Sequence, residues 1–196
     1  MKKLLLICFV LFSYSAQAQI DYGLRAGITA PYFGGADAVN QEMRLAYFGG
    51  AFVSFPLKDE QSRIEVGLQF AAKGSKETFA NGEYAVRSYY LDLPIALRRN
   101  VLPNLDVLVG LQPSYLLENE LFFDAPDFSG ENRTVILLDT QGFRNFDLAP
   151  HLGLKYRFFK SFEVLATYDH GLFTLDRDGA QSVYNRVFKF GLGYTF

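Results

Sequence analysis

Apolar and polar residues alternate with a period of two along most of this chain, in segments of about ten residues separated by turn signals. In residues 20–30, Ile20, Tyr22, Leu24, Ala26 and Ile28 share one face, and Asp21, Gly23, Arg25, Gly27 and Thr29 the other. Residues 63–71 repeat the pattern, with Ile64, Val66, Leu68 and Phe70 opposed to Arg63, Glu65, Gly67 and Gln69. In residues 89–98, Leu91, Leu93, Ile95 and Leu97 oppose Tyr90, Asp92, Pro94, Ala96 and Arg98. In residues 146–156, Phe146, Leu148, Pro150, Leu152, Leu154 and Tyr156 oppose Asp147, Ala149, His151, Gly153 and Lys155. Residues 187–196 set Phe188, Phe190, Leu192, Tyr194 and Phe196 against Val187, Lys189, Gly191, Gly193 and Thr195. This spacing predicts strands and is wrong for a helix. One face is continuously apolar, while the other mixes charge with glycine. A sheet with one wet face also alternates, but its polar face is rarely so rich in glycine. In a narrow barrel interior, small residues make room for long paired ones.

Three further segments bring the expected strands to eight. Residues 45–57 are apolar on both faces, so their inward side is left unassigned, and residues 105–116 and 162–173 alternate only in part. The connections alternate in length: 58–62, 99–104 and 158–161 are short, whereas 30–44, 72–85, 118–142 and 174–185 are long. The fold class expected is all-β: an eight-stranded antiparallel transmembrane β-barrel with short periplasmic turns and longer extracellular loops. Both termini then lie in the periplasm. Residues 187–196 become the closing strand, which leaves no unpaired edge in lipid. Pro94 cannot donate to a ladder, so a bulge or missing bond is expected there.

The first residues give the address. Lys2 and Lys3 precede an apolar run from Leu4 to Phe12, and Ala16-Gln17-Ala18 forms a small-residue cleavage site. Residues 1–18 therefore read as a cleaved signal peptide and residues 19–196 as the outer-membrane barrel domain. The single cysteine, Cys8, falls in the removed segment, which leaves no disulfide framework and no cysteine metal site. Removing Lys2 and Lys3 from the 19 basic residues leaves 17 against 21 acidic ones, a net charge of about −4 that argues against a nucleic-acid partner. Aromatics make up 16% of the chain, with no Trp, a balance that suits strands ending at two membrane interfaces.

Four runs carry a resemblance: "YYLDLPIALRR" (89–99), "FRNFDLAPHLGLKYRF" (143–158), "ATYDHGLFTL" (166–175) and the final "FGLGYTF". Together they resemble the PorT-like outer-membrane β-barrel family of Bacteroidota, a Gram-negative cell-envelope family. Its fourth strand typically reads Tyr-Leu-Glu-Ile-Pro-Leu, and here Tyr90-Leu91-Asp92-Leu93-Pro94-Ile95 matches with Asp in place of Glu. The resemblance implies a small barrel in outer-membrane lipid, inserted by the barrel-assembly machinery that recognises a terminal aromatic. It carries no known catalytic residue, and a few members belong to a secretion apparatus.

The residues then offer competing chemistries. Arg25, Arg63, Glu65, Asp92, His151, Lys155 and Lys189, with Gln69, Asp106 and Gln112, form a polar network expected to fill the lumen. That points to a structural or interaction role in the cell envelope, within an envelope or secretion assembly, with no enzymatic activity and no cofactor. A lipid-modifying enzyme is the alternative, using His151 or His170 with Ser114 or Asp169, and a narrow transporter is another. In the third loop, acidic residues crowd around aromatics: Phe122, Phe123, Asp124, Asp127 and Phe128 are the expected interaction residues, contacting an envelope protein. Residues 134–138 are expected to extend a strand beyond the membrane. The acidic spacing of this loop does not match an EF-hand, and whether it binds a cation is left open.

Overall fold

Residues 20–59, 61–79, 82–124, 133–137 and 142–196 are described by the computed structural model. The expected signal peptide lies outside them. Ten strand segments follow in chain order: β1 (Asp21–Gly34), β2 (Ala46–Pro56), β3 (Ser62–Phe79), β4 (Gly82–Asp92), β5 (Ile95–Leu102), β6 (Leu105–Asp124), β7 (Arg133–Leu137), β8 (Phe146–Arg157), β9 (Phe162–His170) and β10 (Tyr184–Thr195). All the pairings are antiparallel.

β4 and β5 are two halves of one stave, since both pair with β3 on one side and β6 on the other. Counting them once, and setting aside β7, which pairs with β6 alone, the ring holds eight staves. It closes where β1 meets β10, from Gly23↔Thr195 to Gly34↔Tyr184. Closure satisfies the backbone of every stave inside the ring, as lipid requires. The stave breaks at Leu93 and Pro94 because proline has no N–H to give. The Pro94 carbonyl still accepts from Gly67 N–H at 2.8 Å, and Leu93 N–H donates to the Pro113 carbonyl at 2.8 Å. The irregularity expected at Pro94 is therefore a break that leaves both flanking halves in register. A bulge in β6 places Tyr89 opposite Glu118 and Tyr90 opposite Leu116, so Leu117 is the extra residue.

Inward and outward positions follow the expected alternation. On β8, Asp147, Ala149, His151 and Lys155 are buried while Leu152, Leu154 and Tyr156 are exposed. The outward positions Leu24, Leu68, Val109 and Leu192 are 53–60% exposed in the isolated chain, part of an apolar band that only lipid could cover. An aromatic girdle bounds the band at each end. At the end carrying the chain termini, Tyr22 stacks on Phe196 at 5.5 Å, and Tyr194 meets Phe162 at 5.0 Å. At the opposite, loop end, Tyr47, Phe70 and Tyr89 stack in series, and Tyr168 packs on Phe188 at 4.7 Å.

Two expectations about length are corrected. Residues 72–85 are not a loop, because β3 runs on to Phe79 and β4 begins at Gly82. Residues 118–142 are not one long loop either, since β6 continues to Asp124 and β7 folds back along it, Phe122 opposite Val135. These extensions form a four-stranded sheet, β3-β4-β6-β7, rising past the ring at the loop end.

β2, apolar on both sides, turns Phe48, Phe52 and Ser54 inward. Glycines on β1 and β10 make room for the two rings. A Cβ on Gly191 would come within 2.7 Å of the Phe48 ring, and one on Gly23 within 2.7 Å of Phe52.

Candidate functional site

The inward-facing side chains form two layers of ion pairs. In the layer nearer the termini, Glu65 of β3 accepts from Arg25 of β1 at 2.5 Å and from Lys155 of β8 at 2.6 Å. Lys155 also pairs with Glu163 of β9 at 2.9 Å, and Arg98 of β5 donates through Nε to Asp106 of β6 at 2.6 Å. Arg25 and Lys155 lie 4.3 and 4.6 Å from the centre of the Phe52 ring, so that aromatic makes cation–π contacts with both.

In the layer nearer the loops, Asp92 of β4 pairs with Lys73 of β3 at 2.8 Å and Lys189 of β10 at 2.9 Å. Lys189 reaches Asp169 of β9 at 3.0 Å and donates to Gln112 of β6 at 2.9 Å. His151 Nδ1 lies 2.5 Å from Asp169 Oδ1. Above this layer, Asn185 donates to the Tyr90 hydroxyl at 3.3 Å and to Asp147 at 3.4 Å. An apolar collar of Phe33, Val86 and Leu175 caps the stack. Burying so many charges is tolerable only because each layer brings both signs within ion-pair distance.

Of the residues expected to form this network, Arg25, Glu65, Asp92, His151, Lys155 and Lys189 meet in the lumen. Arg63 does not join them. It sits half-buried at the mouth, bonded to Ser54 at 3.0 Å and paired with Asp21 at 3.1 Å. Arg98, already on the charged face expected for residues 89–98, joins the lattice, and Lys73, Glu163 and Asp169, absent from the expected network, complete it. Inward parity extended along β9 and β3 would have found these three.

The candidate catalytic groups are placed differently. Ser114 accepts from Lys73 at 3.0 Å, and among the described residues neither histidine hydrogen-bonds a serine. His170 faces outward and meets the Tyr168 hydroxyl at 3.0 Å. Among the described residues there is also no group of three His, Cys, Asp or Glu side chains placed to hold a metal ion.

At the loop end, Phe122, Phe123 and Asp124 belong to strand β6 and not to a loop. Asp127 and Phe128 lie outside the described residues. Phe122 carries the Arg87 guanidinium 3.6 Å from its ring centre. A cavity of about 400 Å³ opens beside the collar, lined by Phe33, Tyr84, Val86, Phe143, Leu175 and Val183. On its rim, Asp176 accepts from the N–H groups of Ala180 at 2.6 Å and Gln181 at 3.1 Å. Packing around Asp176 raises its pKa, but the N–H donors of Asp178, Ala180 and Gln181 and the charge of Arg144 outweigh this and hold it below its ordinary value.

A closed antiparallel ring with a charged interior, an apolar outside and two aromatic girdles defines a transmembrane β-barrel. The family described as outer membrane protein beta-barrel domain matches residues 15–177, and the chain belongs to it. It is an outer-membrane protein. No curated protein sequence matches it. Among solved structures it is similar to Ail, the attachment invasion locus protein of Yersinia pestis, in complex with the heparin analogue sucrose octasulfate. That likeness has 11% identity over 90% of this chain and 99% of Ail, with a TM-score of 0.52. Neisserial surface protein A gives 10% identity over 89% of this chain and 97% of its own, with a TM-score of 0.53. At such identities the likeness is one of fold.

Proposed function

We propose that the protein is a sealed barrel whose work is done at its ends, as a structural or interaction component of the cell envelope. The observation that carries this reading is the lattice of ion pairs across the lumen. An interior occupied by paired side chains supports this reading over a transport path or an apolar tunnel for a lipid chain. In this reading residues 1–18 direct export, the barrel-assembly machinery inserts the chain, both termini face the periplasm and the loop end faces outward. No cofactor takes part. The resemblance to the PorT-like family supports a place in an envelope or secretion assembly.

The partner contact belongs to the raised sheet. Among the described residues nothing pairs with the far edge of β7, whereas the β3 edge is covered by the Glu42↔Lys76 bridge. An uncovered edge invites an added strand from a partner. Exposed Val39, Met43 and Phe79 lie at the same end, with Phe122, Phe123 and Asp124 in β6; Asp127 and Phe128 fall in the sequence between β6 and β7, outside the described residues. Site-specific photo-crosslinking in living cells from Phe79 and Phe128, read by mass spectrometry, tests the reading. One dominant envelope protein is the expected capture. No adduct from either position, in a barrel shown to be folded, would contradict it.

A further inference from the structure

On the outward face of β4, Leu91, Tyr89 and Arg87 succeed one another toward the loop end, each step about 7 Å along the strand. Leu91 belongs to the lipid-facing band. Tyr89 stacks on Phe70 at 5.6 Å, and Phe70 on Tyr47 at 6.2 Å, giving a platform of three rings across β4, β3 and β2. Arg87 therefore stands one pleat beyond the girdle, at the depth where lipid headgroups begin.

Arg44, in the segment leading into β2, reaches the same place. Its Nη1 donates to the Lys73 carbonyl at 2.9 Å. Gly74, the residue after Lys73, is the cross-strand partner of Arg87, so the two guanidiniums lie on one patch of the sheet. Burial first, and the charge of Arg87 next, lower the Arg44 pKa. Neither has a carboxylate partner among the described residues. The cross-strand neighbour of Arg87 is Glu120, yet that carboxylate takes the Tyr89 hydroxyl at 3.2 Å. The Arg87 Nε is buried with no hydrogen-bond partner. Closer to the tip of the same hairpin, Lys76 is matched by Glu83 at 3.1 Å and Glu42 at 3.6 Å. Arg87 rests on the Phe122 ring at 3.6 Å and Arg44 on the Lys73 carbonyl. Glu120, whose charge acts on Arg44, forms an ion pair with neither among the described residues. Two cations placed on one patch therefore gain from a further anion.

We infer that Arg44 and Arg87 form a binding site for the phosphate of an anionic membrane lipid, whose acyl chains run down the platform of Tyr89, Phe70 and Tyr47. Guanidinium groups present forked donors that match phosphate oxygens. The occupant is a lipid and not free phosphate because the site opens sideways, above the apolar band of β3 and β4. The inference needs only that the loop end meets a leaflet surface, so it stands apart from the proposed partner contact.

Native mass spectrometry tests it, on the folded barrel in neutral maltoside micelles titrated with phosphatidylglycerol. The wild type is expected to keep one tightly held lipid, and Arg44→Ala with Arg87→Ala to weaken that binding roughly tenfold to thirtyfold. Arg144→Ala, whose Nε bonds to the Thr174 carbonyl, is expected to bind as the wild type does. The shift in gel mobility on boiling shows that each variant is folded. Equal affinity in the double variant and the wild type would overturn the inference. So would displacement of the lipid by inorganic phosphate at equal concentration, which would mean that the chains add nothing.

Discussion

Lys189 on β10 and Asp92 on β4 meet at 2.9 Å, although they stand on opposite staves of the eight-stave ring and 97 residues apart in the chain. A single ammonium spans the barrel's width. Its second carboxylate, Asp169, ties in the stave next to β10, and Asp92 ties in β3 through Lys73. The interior thus cross-braces the ring as well as filling it.

Removing one member of this brace leaves its partners charged, buried and unmatched. Lys189→Ala is therefore expected to destabilise the folded barrel by about 3–5 kcal/mol, read as a lower guanidinium midpoint in detergent or liposomes. The exposed Arg99, whose pair with Asp59 at 3.5 Å lies in water, is expected to cost about 0–1 kcal/mol when changed to Ala.

Gly191 and Phe48 share one space inside the ring. Gly191→Leu is expected to overfill it, at a cost of about 1–3 kcal/mol. Phe48→Ala made in the same chain should return part of that loss, because the ring that the new side chain meets is gone. Additive losses in the two-variant cycle would show that the two positions do not compete for volume.

The loop that carries Asp176 depends on acid. Because the folded pKa of this carboxyl lies below the ordinary 3.8, its contribution is complete above that value and is lost as pH falls through the folded one. Amide hydrogen exchange at Asp178, Ala180 and Gln181 is expected to quicken across that range. Asp176→Asn should abolish the pH dependence.

How far these features can be read from the chain depends on what sets them. The inward parity of Asp147, His151 and Lys155 is legible because a strand in lipid must put every second residue outside. β2 defeats that logic, since both its faces are apolar. Phe48 and Phe52 turn inward because glycines on other staves leave space, a fact of three dimensions. Lys73 falls in an expected loop: in "KGSKET" the alternation fades although the strand continues, and Lys73, Gly74 and Ser75 are buried in succession. The pairing of charges is not written along the chain either. Asp169 stands beside His170 in sequence yet faces the opposite side of the sheet, where it meets His151 and Lys189.

The central claim is that the barrel is sealed by its own side chains. Current across a planar bilayer holding the folded protein, its fold checked by gel mobility before and after boiling, tests this most directly. A trace indistinguishable from the bare bilayer is the expected result. Discrete conductance steps in the wild-type protein would contradict it.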